Sequence, residues 1–129
     1  MINLCFFIGT FRRGGAENLV SQIIRNLDKN KYNISLVAFT KEGDLFQEYQ
    51  KLDIKIEIIP KKLLSIIKYV KFFHENNIHC LHINLVGTFF YAITSARLAK
   101  INNIIIHWHN TYSYDRHNFR YIRYLYSYC

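Results

Sequence analysis

Residues Ile8 to Val20, IGTFRRGGAENLV, bring two arginines and a glycine pair to the junction of an apolar run and a helical pattern. Gly14 and Gly15 let the backbone approach a ligand closely and take positive φ values. The first N–H groups of a helix lack internal partners and carry partial positive charge, so an anion is favoured there. Arg12 and Arg13 can add charge-assisted hydrogen bonds to phosphate oxygens. The same residues also make an ordinary glycine turn with two solvated arginines, and the stretch alone leaves both readings open. Glu17 supports the helix N-terminus electrostatically. Two common phosphate signatures are absent. Gly9 and Gly14 are separated by four residues, with no third glycine where G-x-G-x-x-G needs one, and no G-K-[ST] follows. Nicotinamide and ATPase chemistry both lose ground.

Histidines are the next reactive group. His79, His82, His107 and His109 can be drawn as a metal cluster. His79 and His82 are three apart on a strand, however, and so face opposite sides. His107 and His109 share a face, but no carboxylate or cysteine has an evident reason to join them, so no metal site is expected. His109 can orient or polarise a substrate hydroxyl. It can equally close its strand as a hydrogen-bonded histidine.

These residues need elements to position them. Ile2 to Ile8 is a continuous apolar run, as for a strand covered on both faces. Ala16 to Leu27 places Leu19, Val20, Ile23, Ile24 and Leu27 at helical spacing. Tyr32 to Phe39 is a second strand, Asp44 to Lys51 a short helix, and Ile54 to Ile59 a third strand ended by Pro60, the only proline. Leu63, Ile66, Ile67, Val70 and Phe73 mark one face of the next helix. The sequence IHCLHI gives a fourth strand, Gly87 to Lys100 a helix, and Asn103 to Trp108 a fifth strand, with a helical pattern from Arg116 onward.

Strand and helix alternate throughout, with no internal repeat or low-complexity linker. The pattern predicts an α/β fold, a three-layer Rossmann-like sandwich around a parallel sheet. Right-handed crossovers favour the strand order 3-2-1-4-5. In such a sheet the crevice lies beyond the carboxyl ends of the strands, where the winding switches between the first and fourth strands. Gly9 to Gly15, His82 to Gly87 and His107 to Thr111 should then converge. These are also the stretches richest in Gly, Arg, His and Asn.

Composition bounds the rest. The 129 residues suffice for one domain, and 50% are hydrophobic, which excludes disorder. Seventeen basic residues against nine acidic ones give a net charge of +8, which favours anionic partners. Cys5, Cys80 and Cys129 are odd in number and widely spaced, arguing against a disulfide framework and for a reducing, cytoplasmic setting. Cys5 reads as a small buried hydrophobe. MINLCFFIG lacks a basic n-region and reads as a strand rather than a signal peptide. No apolar run approaches the roughly 18 residues of a membrane span. No helix-turn-helix or RNA-binding motif is visible, so nucleic acid is not an expected partner.

Three motifs together resemble the N-terminal half of family 4 glycosyltransferases: GGAENLVSQIIRNL after the first strand, CLHINL at the fourth and IIIHWHNTYS at the fifth. The likeness is to enzymes of capsular, exopolysaccharide and lipopolysaccharide assembly, and it covers nearly the whole chain. It implies one half of a GT-B fold, in which two Rossmann-like domains face each other across a cleft. By resemblance, residues 1–129 form the acceptor-binding domain, and a C-terminal domain binds the nucleotide-sugar. Gly14 and Gly15, with Arg12 and Arg13, would approach the donor diphosphate. His109 would lie beside the transferred sugar as the catalytic group, with Asn110 and Thr111 in the same pocket. His82 and Asn84 would flank the acceptor. The implied reaction is sugar transfer with retention, from a UDP- or GDP-linked donor to a lipid-linked or polysaccharide acceptor, without a cofactor or required metal. Two departures stand out. His79 replaces the aspartate of the family's strand-4 segment, and the sequence stops at Cys129, before the donor domain with its paired glutamates. The expectation is a chain incomplete for catalysis alone, supplemented by a donor-binding part on the same or a separate chain.

The tail adds a surface to this reading. Arg116, Arg120 and Arg123 share one helical stripe, with Phe119, Ile122 and Tyr126 on a neighbouring one. Such a mixture suits an anionic membrane interface, as for a peripheral protein on the inner face of the plasma membrane. Packing of the aromatics on this domain or its partner domain is the other reading. Lys61, Lys62, Lys68 and Lys71 add to the positive field in either case. A non-enzymatic basic module that holds an anionic membrane or a partner protein is the alternative function.

Overall fold

The structure, a computed structural model, describes residues 1–84 and 89–107. Its elements run β1 (Ile2–Ile8), α1 (Gly15–Asn26), β2 (Tyr32–Ala38), α2 (Phe46–Gln50), β3 (Lys55–Ile58), α3 (Ser65–Glu75), β4 (Cys80–Ile83), α4 (Phe89–Leu98) and β5 (Asn103–Ile106). The five strands form one sheet in the order β3-β2-β1-β4-β5, and every pairing is parallel. The predicted architecture and strand order are therefore observed. The helical pattern from Arg116 onward falls outside the described residues.

The alternation of the central strand explains the layers. Successive side chains of β1 point to opposite faces, and residues from Cys5 to Ile8 are fully buried. Leu4, Phe6 and Ile8 join Val20 and Ile24 of α1, Tyr49 of α2 and Phe11 in one core. Cys5 and Phe7 join Tyr69, Phe72 and Phe73 of α3 and Ala92, Ile93 and Ala96 of α4 in the other. Burying a Phe stabilises by about 1.5–3 kcal/mol, so Phe6 and Phe7, back to back, tie both helical layers to one strand.

Several boundaries move by a residue or two, each for a local reason. Phe39 falls outside β2, although its N–H still donates to the Gly9 carbonyl at 3.0 Å. β4 begins at Cys80 rather than at the start of IHCLHI, after the turn that ends α3, where Asn77 has φ +50°. Bonds from Lys62 N–H to Pro60 O and from Ser65 N–H to Lys62 O make a turn of residues 60–65, so α3 begins at Ser65 and leaves Leu63 in front of it.

Candidate functional site

The carboxyl ends of β1 and β4 are hydrogen-bonded neighbours whose connections leave in opposite directions, and this is the crevice of an open α/β sheet. The ends are fixed backbone to backbone. Asn84 N–H donates to Phe7 O at 3.1 Å, and His107 N–H donates to Ile83 O at 2.8 Å. The segments 9–15, 82–84 and 107 thus meet at one edge, as the order of elements required. His109, Asn110, Thr111 and Gly87 fall outside the described residues.

Gly14 is the N-cap of α1, with φ −134° and ψ 170° and no side-chain cap bond. Among described glycines only Gly43 has positive φ, so backbone conformation does not demand glycine at positions 14 and 15. Internal packing does not demand it either. A Cβ built on Gly15 meets nothing within 4 Å, and one on Gly14 meets only the flexible end of Glu17, 2.5 Å from Oε2. What the pair leaves is space at the mouth of a helix.

The arginines of this loop are held by carboxylates. Arg12 pairs with Glu42, which pushes its already high pKa further up by hydrogen bonding and charge. Arg13 Nη2 lies 2.7 Å from Glu48 Oε1, and its Nε lies 3.8 Å from Asp44 Oδ2. The two arginine side chains are 69% and 56% exposed, and solvent screening leaves such surface pairs weak.

The acidic partners come from the β2–α2 loop (Glu42 and Asp44) and from α2 (Glu48), which sequence reasoning did not bring to the site. Phe11 N–H donates to Glu42 O at 2.7 Å, and Leu45 N–H donates to Phe11 O at 3.0 Å. Between them Gly43 has φ +128°, and a Cβ there would lie 2.0 Å from the Phe11 carbonyl carbon. Tyr49 reinforces the clasp by donating its hydroxyl to the Glu17 carbonyl at 2.6 Å. The available signal was Glu42-Gly43-Asp44 itself, a glycine between two acids after a strand that ends beside the arginine loop.

On the other side of the crevice, His82 is 9% exposed, its ring 5.1 Å from that of Phe6 and stacked on His107 at 5.9 Å and 8°. Asn84 is 2% exposed and donates from Nδ2 to the His82 carbonyl at 3.2 Å. Its Oδ1 is buried with no hydrogen-bond partner among the described residues. Such an atom is costly to leave unmade, so Asn84 carries acceptor capacity at the strand end. His79 lies at the opposite, amino edge, where its Nδ1 accepts the Asn3 N–H at 2.9 Å. Among the described residues no group of three His, Cys, Asp or Glu side chains is placed to hold a metal. Two described cavities, of about 220 and 320 Å³, lie at the amino edge of the sheet and beside α3, away from this crevice.

The fold defines the class: a Rossmann-like domain of the kind that makes one half of a GT-B glycosyltransferase. MurG of Acinetobacter baumannii superposes on 95% of the chain with a TM-score of 0.74 at 14% identity. A glycosyltransferase from Rickettsia africae ESF-5 covers 93% with a TM-score of 0.71 at 12% identity. The lipopolysaccharide outer core galactosyltransferase WaaB covers 81% with a TM-score of 0.56 at 14% identity. The chain spans only 39%, 33% and 32% of those three proteins. No curated protein sequence matches it significantly. The family model of Glycosyltransferase Family 4 matches residues 13–129, and the chain belongs to that family.

Among the described residues no helix is long and apolar enough to cross a membrane.

Proposed function

We propose that this chain is the acceptor-side domain of a retaining glycosyltransferase that moves a sugar from a UDP- or GDP-linked donor to a lipid-linked or polysaccharide acceptor at the cytoplasmic membrane face. The observation that carries the reading is the glycine pair at the mouth of α1. It lies within the matched family segment, and neither conformation nor packing explains it. In this reading the donor diphosphate approaches Gly14 and Gly15, and Arg12 and Arg13 exchange their carboxylates for its oxygens. Developing diphosphate charge is met by the helix dipole and these guanidinium groups. Asn84 Oδ1 accepts from an acceptor hydroxyl beside His82. His109, Asn110 and Thr111 lie beside the transferred sugar, with His109 as the catalytic group. The donor-binding half is supplied by further sequence or by a separate chain.

The test is a panel of UDP- and GDP-sugars incubated with the protein at the length its host makes, host lipid extract serving as acceptor. Proton NMR of the product then gives the anomeric configuration. The expected result is a glycolipid or oligosaccharide with the donor's anomeric configuration kept. Inversion would overturn the retaining mechanism, and absence of transfer with every donor would overturn the enzyme reading.

A further inference from the structure

β3 is an outermost strand of the sheet, and among the described residues its outer edge pairs with no strand. Ile59 N–H donates to Ala38 O at 2.9 Å, and bonding direction alternates along a parallel strand. Lys55 and Glu57 therefore bond inward to β2, while the N–H and C=O groups of Ile54, Ile56 and Ile58 point outward. Such an edge is a template for a further strand. Side chains alternate too. Ile54, Ile56 and Ile58 are half-buried on the face that packs on α1 and α2, and Lys55 and Glu57 are exposed on the α3 face. A cavity of about 320 Å³ lies along that second face, lined by Lys55, Glu57, Lys68, Lys71, Phe72 and Glu75 among others. Lys55 Nζ reaches Asn76 Oδ1 at 2.7 Å and lies 5.5 Å from the centre of the Phe72 ring, so the last turns of α3 run beside this part of the strand.

The geometry points to a second copy of this chain as the occupant, its β3 added antiparallel about a two-fold axis at Ile56. A two-fold contact needs a strand that complements itself when reversed, and this one does. Ile56 faces the partner's Ile56 and Ile54 faces the partner's Ile58, so the outward backbone groups exchange hydrogen bonds and the isoleucines close on one another. On the other face Lys55 stands opposite the partner's Glu57, and Glu57 opposite the partner's Lys55. These are the non-hydrogen-bonded positions, where cross-strand side chains come closest. The α3 helices pass each other beside the same axis, bringing Lys71 toward the partner's Glu75. Neighbouring registers fail. A slip one way sets Glu57 against Glu57, a slip the other way sets Lys55 against Lys55, and a longer one brings Pro60, which has no N–H, into the ladder. An unrelated acidic segment would meet Lys55 but be repelled by Glu57, so the alternation of charge selects the chain's own inverted strand. This dimer is independent of the sugar-transfer reading.

The experiment is sedimentation equilibrium of the full chain and its variants. The expected result is a reversible dimer, half-formed at roughly 1–100 µM as for a small interface. Lys55→Glu sets like charges opposite each other twice and should weaken the dimer about ten-fold or more, and Glu57→Lys should do the same. Combining Lys55→Glu with Glu57→Lys restores both opposite-charge pairs and should bring the dimer back to within about three-fold of the parent. Ile56→Pro removes only an outward N–H, so it should abolish the dimer and keep the far-UV circular dichroism of the fold. Amide hydrogen exchange reads the edge directly: the Ile56 N–H should be protected in proportion to the dimer present. A chain still monomeric at about 1 mM would overturn the proposal. So would single variants that leave association unchanged, or a double variant no better than either single one. Protection of Ile56 that does not depend on concentration would also overturn it, by assigning the edge to another part of the same chain.

Discussion

Replacing Gly43 by alanine should unfasten the loop that presents the arginines. Gly43 has φ +128°, a conformation that side-chain-bearing residues rarely adopt, and its Cβ would overlap Phe11 C at 2.0 Å and Arg12 N and Phe11 O at 2.1 Å. The obstacle is backbone, so no rotamer change relieves it. Forcing an alanine into such a region costs about 1–3 kcal/mol. Separating the loops also loses the Phe11–Glu42 and Leu45–Phe11 backbone bonds, worth about 1 kcal/mol each. Gly43→Ala should destabilise the domain by about 3–5 kcal/mol, a large part of the roughly 5–15 kcal/mol of a typical domain. Urea unfolding followed by far-UV circular dichroism measures this, with Gly15→Ala as the control. Gly15 has open space around it and opens a helix, so alanine there should stabilise by up to about 1 kcal/mol. An unfolding free energy for Gly43→Ala within 1 kcal/mol of the parent would refute the close approach of the two loops.

Three further outcomes are expected. Tyr69→Phe removes a buried hydroxyl that donates to Ile59 O at 2.8 Å and reaches Pro60 O at 3.1 Å, and should cost about 1–2 kcal/mol in the same unfolding assay. Stability should also fall with rising pH. Burial pushes the Cys5 thiol from 9.0 up to about 12, and burial likewise raises Tyr49 and Tyr69 above 10.0. The unfolded chain loses these protons first, so their contribution is complete below pH 9 and declines above it, by up to about 1.4 kcal/mol per pH unit for Cys5. Cys5→Ala should flatten the first part of that slope, and a urea midpoint constant from pH 8 to 10.5 would contradict it. Iodoacetamide at pH 8.5 should leave Cys5 unlabelled in the folded protein and label it after unfolding, read by peptide mass spectrometry.

The strand order was legible because each apolar run of the sheet is bounded by a turn and followed by a helical stripe, which permits few topologies. Ile2–Ile8 reads as central because its residues are apolar on both faces, and it is the strand with both cores against it. The crevice followed from topology alone. The meaning of its residues was harder to read. Positive φ was an available reason for Gly14 and Gly15, yet the conformation that needs glycine is at Gly43, in a loop thirty residues away in sequence. Nothing local announces that Arg12 and Arg13 meet Glu42, Asp44 and Glu48, because those pairs depend on where two loops leave adjacent strands. His79 and His82 were separable by strand alternation. That His82 stacks on His107 required the β4–β5 register, in which His82 pairs with Ile105.

In the proposed function the space at Gly15 belongs to a ligand. The direct measurement is the rate of labelled-sugar transfer by the protein at its host length, comparing the parent with Gly15→Ala. The expected result is a variant at least as stable as the parent whose kcat/KM for the nucleotide-sugar falls about ten- to a hundred-fold, because a methyl group there would displace the proposed diphosphate by an ångström or so. A rate within two-fold of the parent would contradict it.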